Sequence, residues 1–327
     1  MTVVEIPSRT HPAQGWLSGR FRLDERISSG DQVSESLGPR GFSSEARGLS
    51  LWKASDQLLG RPVTIHLLPP GIPVPRPVIE AVQSAAKVTD PRLATIYDTD
   101  FGLECPYIVS EWTPGTHLED LVLSGLPHPA LAAAMIADAA DALAVAHQAG
   151  RPHLRLTPRS LRWAPGSGLK ITGLGLDAAL SGATADSASA AVDTMALARM
   201  LYALLTGYWP GDEATGQYTA QSTAQYTALP PAPRHKGRVC TPRQVRAGVP
   251  AILDAITYRG LYGQAADAPL RAQTPAGLAM ALRMVQRPSY QLDEAVAGPP
   301  SRANRSVRGR HARPGFGHRI TLLRPAV

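Results

Sequence analysis

Apolar and polar residues alternate along Phe21-Arg22-Leu23-Asp24-Glu25-Arg26-Ile27, a spacing that predicts a strand with one buried face. A stretch rich in Gly, Ser and charge follows to about Ser50. Residues 51–56 and 61–68 predict two more strands, joined as a hairpin through Leu59-Gly60. Residues 77–88 predict a short helix with Val78, Val82 and Ala85 on one face, and 93–97 and 106–110 predict further strands. The period then changes. Residues 129–148 carry apolar positions at helical spacing and stop before Gly150. Residues 193–206 predict a second long helix, with Asp193 placed to cap it and Gly207 to end it. Segments 251–261 and 274–285 complete a helical half, the latter starting with the cap and first-turn proline Thr274-Pro275. A strand-rich part before a helix-rich part predicts an α+β chain in two lobes.

Composition changes this picture at one place. The chain has 327 residues and a net charge of +7. Seven arginines (302, 305, 308, 310, 313, 319 and 324) fall in a segment, 295–327, that has no Lys, Asp or Glu. Without those seven, the 33 basic residues become 26, equal to the 26 acidic ones. The basic pI of about 9.7 therefore describes a tail rather than a basic domain. Polyanion binding would be confined to that tail, and Phe316 is its sole aromatic, so base stacking is not expected and nucleic acid is an unlikely partner. Cys105 and Cys240 make no metal or disulfide pattern and fit a reducing compartment. Residues 1–20 lack the apolar core of a signal peptide, and the apolar run 131–146 is interrupted by Asp138 and Asp141. The tetrapeptide Gln-Tyr-Thr-Ala occurs at 217–220 and again at 225–228, which marks a low-complexity loop insertion.

The stretch His153-Leu154-Arg155-Leu156-Thr157-Pro158-Arg159-Ser160-Leu161 resembles the catalytic loop of a protein kinase, which reads His-Arg-Asp-Leu-x-Pro-x-Asn. Pro106-Tyr107-Ile108-Val109-Ser110-Glu111-Trp112 resembles the strand and hinge that join kinase lobes, with Ser110 as gatekeeper. Residues 193–207 resemble the central helix of the large lobe. Across 21–286 the chain thus resembles the bacterial eukaryotic-like Ser/Thr protein kinases. Gly41-Phe42-Ser43-Ser44, His66-Leu67-Leu68-Pro69 and Gln244-Val245-Arg246-Ala247-Gly248-Val249 are similar to actinobacterial kinase-like proteins encoded beside the lipid II flippase. The resemblance implies a protein-kinase-like bilobal fold: a flexible leader (1–20), a small strand-rich lobe (21–112), a helical lobe (113–286, with an insertion at about 212–240) and a disordered Arg-rich tail (287–327). Relatives in that group usually continue into a transmembrane segment and an extracytoplasmic domain, which this sequence does not carry.

Within that resemblance, each functional motif departs from the family. Arg155 stands where an Asp should accept the substrate proton, and a guanidinium cannot accept it. Ser160 stands in place of the metal-binding Asn, Gly173 in place of the metal-binding Asp, and His66 in place of the strand Lys. The helix Glu falls at Ala81, with Glu80 one position away. Gly30 alone remains of the phosphate loop, and Asp177 reads as a solvated loop residue. Only 176–192 remains for the activation segment. These losses predict a degenerate branch: no enzyme, a pseudokinase acting as scaffold or regulator, with no metal site and no ATP cofactor. The alternatives are a weakly active or atypical nucleotide-binding Ser/Thr kinase, and a polyanion binder working through the tail. Cleft-lining candidates are Ile27, Ile65, Ser110, Glu111 and Trp112, and candidate phospho-acceptors are Ser181, Thr184 and Ser187. The resemblance implies a cytoplasmic protein at or near the inner face of the membrane, linked to peptidoglycan synthesis. Its implied partners are an active Ser/Thr kinase, a forkhead-associated domain protein or the flippase.

Overall fold

The alternation along 21–27 becomes β2 (Phe21–Ser28), which turns Phe21 and Leu23 into the small-lobe core and leaves the intervening residues exposed. The computed structural model describes residues 15–28, 49–71, 73–102, 104–211, 227–262 and 274–285, all within one unit, Met1–Val296. The single-glycine phosphate-loop stretch from 29 onward, residues 212–226 of the insertion and the tail 287–327 lie outside the described residues.

The small lobe is one antiparallel sheet in the order β1-β2-β3-β4-β6-β5. Its strands are β1 (Trp16–Leu17), β2, β3 (Ser50–Asp56), β4 (Arg61–Leu67), β5 (Ile96–Asp100) and β6 (Tyr107–Glu111). The leader expected over 1–20 therefore ends early: Leu17 pairs with Phe21 and is 1% exposed. The strand expected at 93–97 is displaced, because Leu93 makes only an isolated bridge to Ile171. Asp56 closes the β3–β4 hairpin. Its carboxylate accepts from the amides of Leu58 and Leu59 and from the Arg20 guanidinium, at 3.0 and 2.7 Å.

Helix α1 (Arg76–Ala85) starts after Pro75 and lays Val78, Val82 and Ala85 inward, as the pattern predicts. Val78 and Val82 join Leu49, Leu68 and Ile108 in an apolar cluster.

The large lobe begins with β7 (Thr116–His117), α2 (Leu118–Ser124) and α3 (Pro129–Gln148). The short sheet β7-β8-β9 adds β8 (Leu161–Ala164) and β9 (Gly168–Ile171). Helices α4 (Leu176–Leu180) and α5 (Ser189–Thr206) follow, then the hairpin β10 (Arg234–His235) and β11 (Arg238–Val239). Helices α6 (Pro242–Val245), α7 (Ala251–Tyr262) and α8 (Pro275–Arg283) end the described chain. Alanines on α3 let it pack closely against α5 and α8, and α5 is buried on all sides at Leu197, Met200, Leu201 and Leu204. Among the described residues α3 is the one helix long and apolar enough, by length and composition, to cross a membrane. Here it lies in the lobe core, with Asp138 and Asp141 facing Arg283. Gly207, at φ 84°, ends α5 in the left-handed conformation that favours glycine.

Candidate functional site

Asp193 does not cap its helix. Helix α5 starts four residues earlier at Ser189, which leaves the Asp193 side chain free to face the loop 153–161. The carboxylate, 0% exposed, accepts the amides of His153 at 2.8 Å and Leu154 at 2.7 Å, and the Nε2–H of His147 at 2.8 Å. The His153 ring donates its own Nε2–H to the Thr172 carbonyl at 2.8 Å, which ties the loop to the end of β9. Leu154 sits at φ 62°, a region that costs a branched residue about 1–2 kcal/mol. The loop is thus held in one defined and strained shape.

The replaced residues lie on this frame. Arg155 is half-buried, with its amide on the His153 carbonyl. Ser160 is buried, and its hydroxyl accepts the Thr157 amide at 3.1 Å, so it closes the turn instead of facing the cleft. His66 on β4 pairs across the sheet with Leu51 and Ile108. Its Nδ1 is buried without a partner, and burial pushes its pKa down to about 4. The ring is therefore neutral at physiological pH. Glu80 points outward to Arg76 at 2.7 Å, so no carboxylate of α1 turns toward β4. Ala81 faces the segment after β9 instead: a Cβ on Gly175 would lie 2.6 Å from the Ala85 Cβ and 2.9 Å from the Ala81 carbonyl.

Two expectations need correction. Ile65 does not line the cleft: it is 0% exposed and packs with Ala54, Val63, Leu67 and Val109. Alternation along β4 sends 63, 65 and 67 to the core face and leaves 64 and 66 on the other. Asp177 is not a solvated loop residue. It lies half-buried in the first turn of α4, where its amide donates to the Gly173 carbonyl at 3.0 Å. A Cβ added to Gly173 would fall on the Asp177 carboxylate. Burial raises this carboxyl to about pKa 6, against the opposing pull of His153 and Arg155.

The hinge residues hold further contacts. Glu111 is paired with Lys170 at 2.5 Å, and Ser110 is half-buried beside it. Two cations approach the Trp112 ring, Lys53 Nζ at 4.9 Å and the Arg162 guanidinium at 5.9 Å from its centroid. Arg162 donates to His117 Nε2 at 2.8 Å and to the Gly115 carbonyl at 2.7 Å. His117 donates its Nδ1–H to the Arg159 carbonyl, which fixes that tautomer. Ile27, at the exposed end of β2, is 40% accessible. Sequence reasoning missed Arg162, Lys53 and His147. Arg162 was findable, because alternation in β8 buries Leu161 and Trp163 and turns 162 to the opposite face. Of the phospho-acceptor candidates, Ser181 is half-buried with its hydroxyl on the Ala178 carbonyl, while Thr184 and Ser187 are exposed.

Magnesium accompanies a nucleotide in enzymes of this fold. Among the described residues no group of three or more His, Cys, Asp or Glu could hold a metal on its own. Magnesium, however, is usually held by one or two carboxylates together with substrate phosphates. The Asp177 carboxylate, placed where a Gly173 side chain would point, fits one such ion. A second does not fit, because Ser160 is occupied by Thr157.

Comparison with known proteins agrees with the fold. No family model matches. The chain is 28% identical over 206 residues to the Ser/Thr-protein kinase PknB of Mycobacterium tuberculosis, covering 55% of this chain and 31% of the relative. It is 29% identical over 175 residues to a probable Ser/Thr-protein kinase of Corynebacterium efficiens, covering 51% of this chain and 25% of the relative. The chain thus spans about three tenths of the length of the curated relatives it matches. A crystal structure of Rad53 residues 1–466 in complex with AMP-PNP superposes with a TM-score of 0.54 at 18% identity, over 81% of this chain and 64% of that one. The chain is similar to bacterial Ser/Thr protein kinases, and its fold is the bilobal protein-kinase fold. These findings overturn the expectation that it is not an enzyme: the sequence relatives are named as kinases and the structural neighbour is one.

Proposed function

We propose that this chain is an atypical, nucleotide-binding Ser/Thr protein kinase, slow beside enzymes with an intact catalytic loop. The observation that carries this reading is the bracing of Leu154 at φ 62° by the buried Asp193. Strain of this kind persists only where the surroundings over-determine it, and it concentrates at functional sites. The Rad53 structure, described with AMP-PNP, supports a nucleotide in the same fold.

The residues set the expected rate. Phosphoryl transfer passes through a loose transition state in which positioning and electrostatics carry most of the catalysis. The Arg155 side chain cannot take the acceptor proton. A missing general base lowers the rate by about 10²–10⁴-fold, which leaves a slow reaction rather than none. Neutral His66 gives no standing cation to the phosphates, so affinity is expected to be modest. Bound magnesium would supply charge neutralisation. Thermal shift of the purified chain with ATP, with and without Mg²⁺ or Mn²⁺, tests the reading. A saturable rise in midpoint is expected, and its absence at millimolar ATP would remove the basis for a nucleotide site.

A second reading is favoured by the exposure of Thr184 and Ser187 between α4 and α5. Phosphorylated by an active Ser/Thr kinase, this segment would be read by a forkhead-associated domain and would tie the chain to peptidoglycan precursor export. Mass spectrometry of the chain after incubation with such a kinase tests this, and an unmodified 176–192 peptide would end it.

A further inference from the structure

We propose that Asp177 is the acidic group of this cleft, its carboxylate standing in for the side chain that Gly173 lacks and facing the divalent cation of a bound nucleotide. The inference rests on the nucleotide-binding reading and adds to it the residue that makes binding metal-dependent.

Placement comes first. The bond from the Asp177 amide to the Gly173 carbonyl is a helical turn, and it brings residue 177 back over residue 173. The carboxylate then fills the space into which a Gly173 Cβ would project. That turn is firmly anchored. Leu176 and Leu180 are buried among Leu49, Leu68, Val78, Val82 and Ile108, and Gly175 abuts Ala81 and Ala85. Chemistry comes second. Among the described residues no hydrogen-bond donor reaches the Asp177 carboxylate, which leaves its oxygens open to a ligand or to water. The ionisable groups acting on it are His153 and Arg155, both on the loop 153–161. A hard oxygen ligand with spare coordination suits magnesium or manganese. Composition comes third. Glycine at 173 and aspartate at 177 are coupled in volume, because a larger residue at 173 would collide with the acid that replaces it.

The test is calorimetry of ADP binding to the full chain, without metal and with Mn²⁺, in wild type and Asp177→Asn. Mn²⁺ is expected to tighten ADP binding in wild type by about tenfold, within the usual range for coupled ligands, and the isosteric variant is expected to lose that increment while keeping its metal-free affinity. The double variant Gly173→Asp/Asp177→Ala returns the carboxylate to 173, where Asp tolerates a positive φ, and should restore the increment. An increment that survives Asp177→Asn overturns the proposal. So does equal ADP affinity with and without Mn²⁺ in wild type, as expected if Asp177 serves only as a counter-ion to Arg155, and that result leaves the nucleotide-binding reading standing. Absence of ADP binding in every sample overturns both.

Discussion

The carboxylate of Asp193 accepts the amide hydrogen of Leu154 at 2.7 Å, and Leu154 is a non-glycine residue at φ 62°. One bond therefore joins the central helix of the large lobe to the most strained position of the loop. Asp193→Ala leaves the buried amides of His153 and Leu154 and the His147 ring without their acceptor. A loss of about 3–5 kcal/mol is expected in chemical denaturation, because a broken buried polar network costs more than the bonds it contained. Leu154→Gly should stay within about 1 kcal/mol of wild type, since relief of strain offsets the greater flexibility of the unfolded chain.

The histidine on β4 gives a pH signature. The folded-state pKa of His66 is about 4, below the unfolded value of 6.5. Between these values the unfolded chain binds more protons, so stability is complete above about pH 6.5 and falls as pH drops toward 4. His66→Leu should remove about 3 kcal/mol of that acid-side loss, read as a flatter stability profile from pH 7 to 4.

Gly175 is a contact point between the lobes. A side chain there would meet Ala85 and the Ala81 carbonyl, at a φ of 77°. Gly175→Ala should lower stability by about 2–4 kcal/mol through overpacking and backbone strain together. Gly237, at φ 79° with open space around it, is the control. Gly237→Ala should cost only the strain, about 1–2 kcal/mol, in the same thermal melts.

Two ion pairs in the small lobe should differ in weight. Asp56 is 1% exposed and holds Arg20 and two amides, which keeps its pKa below the ordinary carboxylate value. Asp56→Ala is expected to cost about 3–5 kcal/mol, and the stability contributed by Asp56 is present above its unfolded pKa and lost on acidification through the lower folded one. The exposed Arg76–Glu80 pair should contribute less than about 0.5 kcal/mol when either partner is replaced by Ala.

Much of this was legible in the sequence because local rules governed it. Pro129, Gly207 and Thr274-Pro275 mark helix ends that the structure places within a few residues of the expected positions. His66 lies on β4, and Gly173 follows the end of β9. Asp193 was misread because an aspartate before an apolar helical run is an ordinary cap. Its actual role depends on a loop 40 residues away, which no local pattern reveals. Asp177 was misread for a related reason: only the turn at Gly173–Gly175 and the apolar seat of Leu176 and Leu180 bring it inward. Ile65 could have been placed correctly, since neighbours on one strand cannot both face the cleft and His66 already did.

The most direct test of the central claim is incubation of the full chain with Mg²⁺ and ATP labelled in the γ-phosphoryl group, followed by phosphoamino-acid analysis. The account predicts slow label on serine or threonine, absent from a heat-denatured sample. Label no higher than in that denatured sample after a long incubation would contradict it.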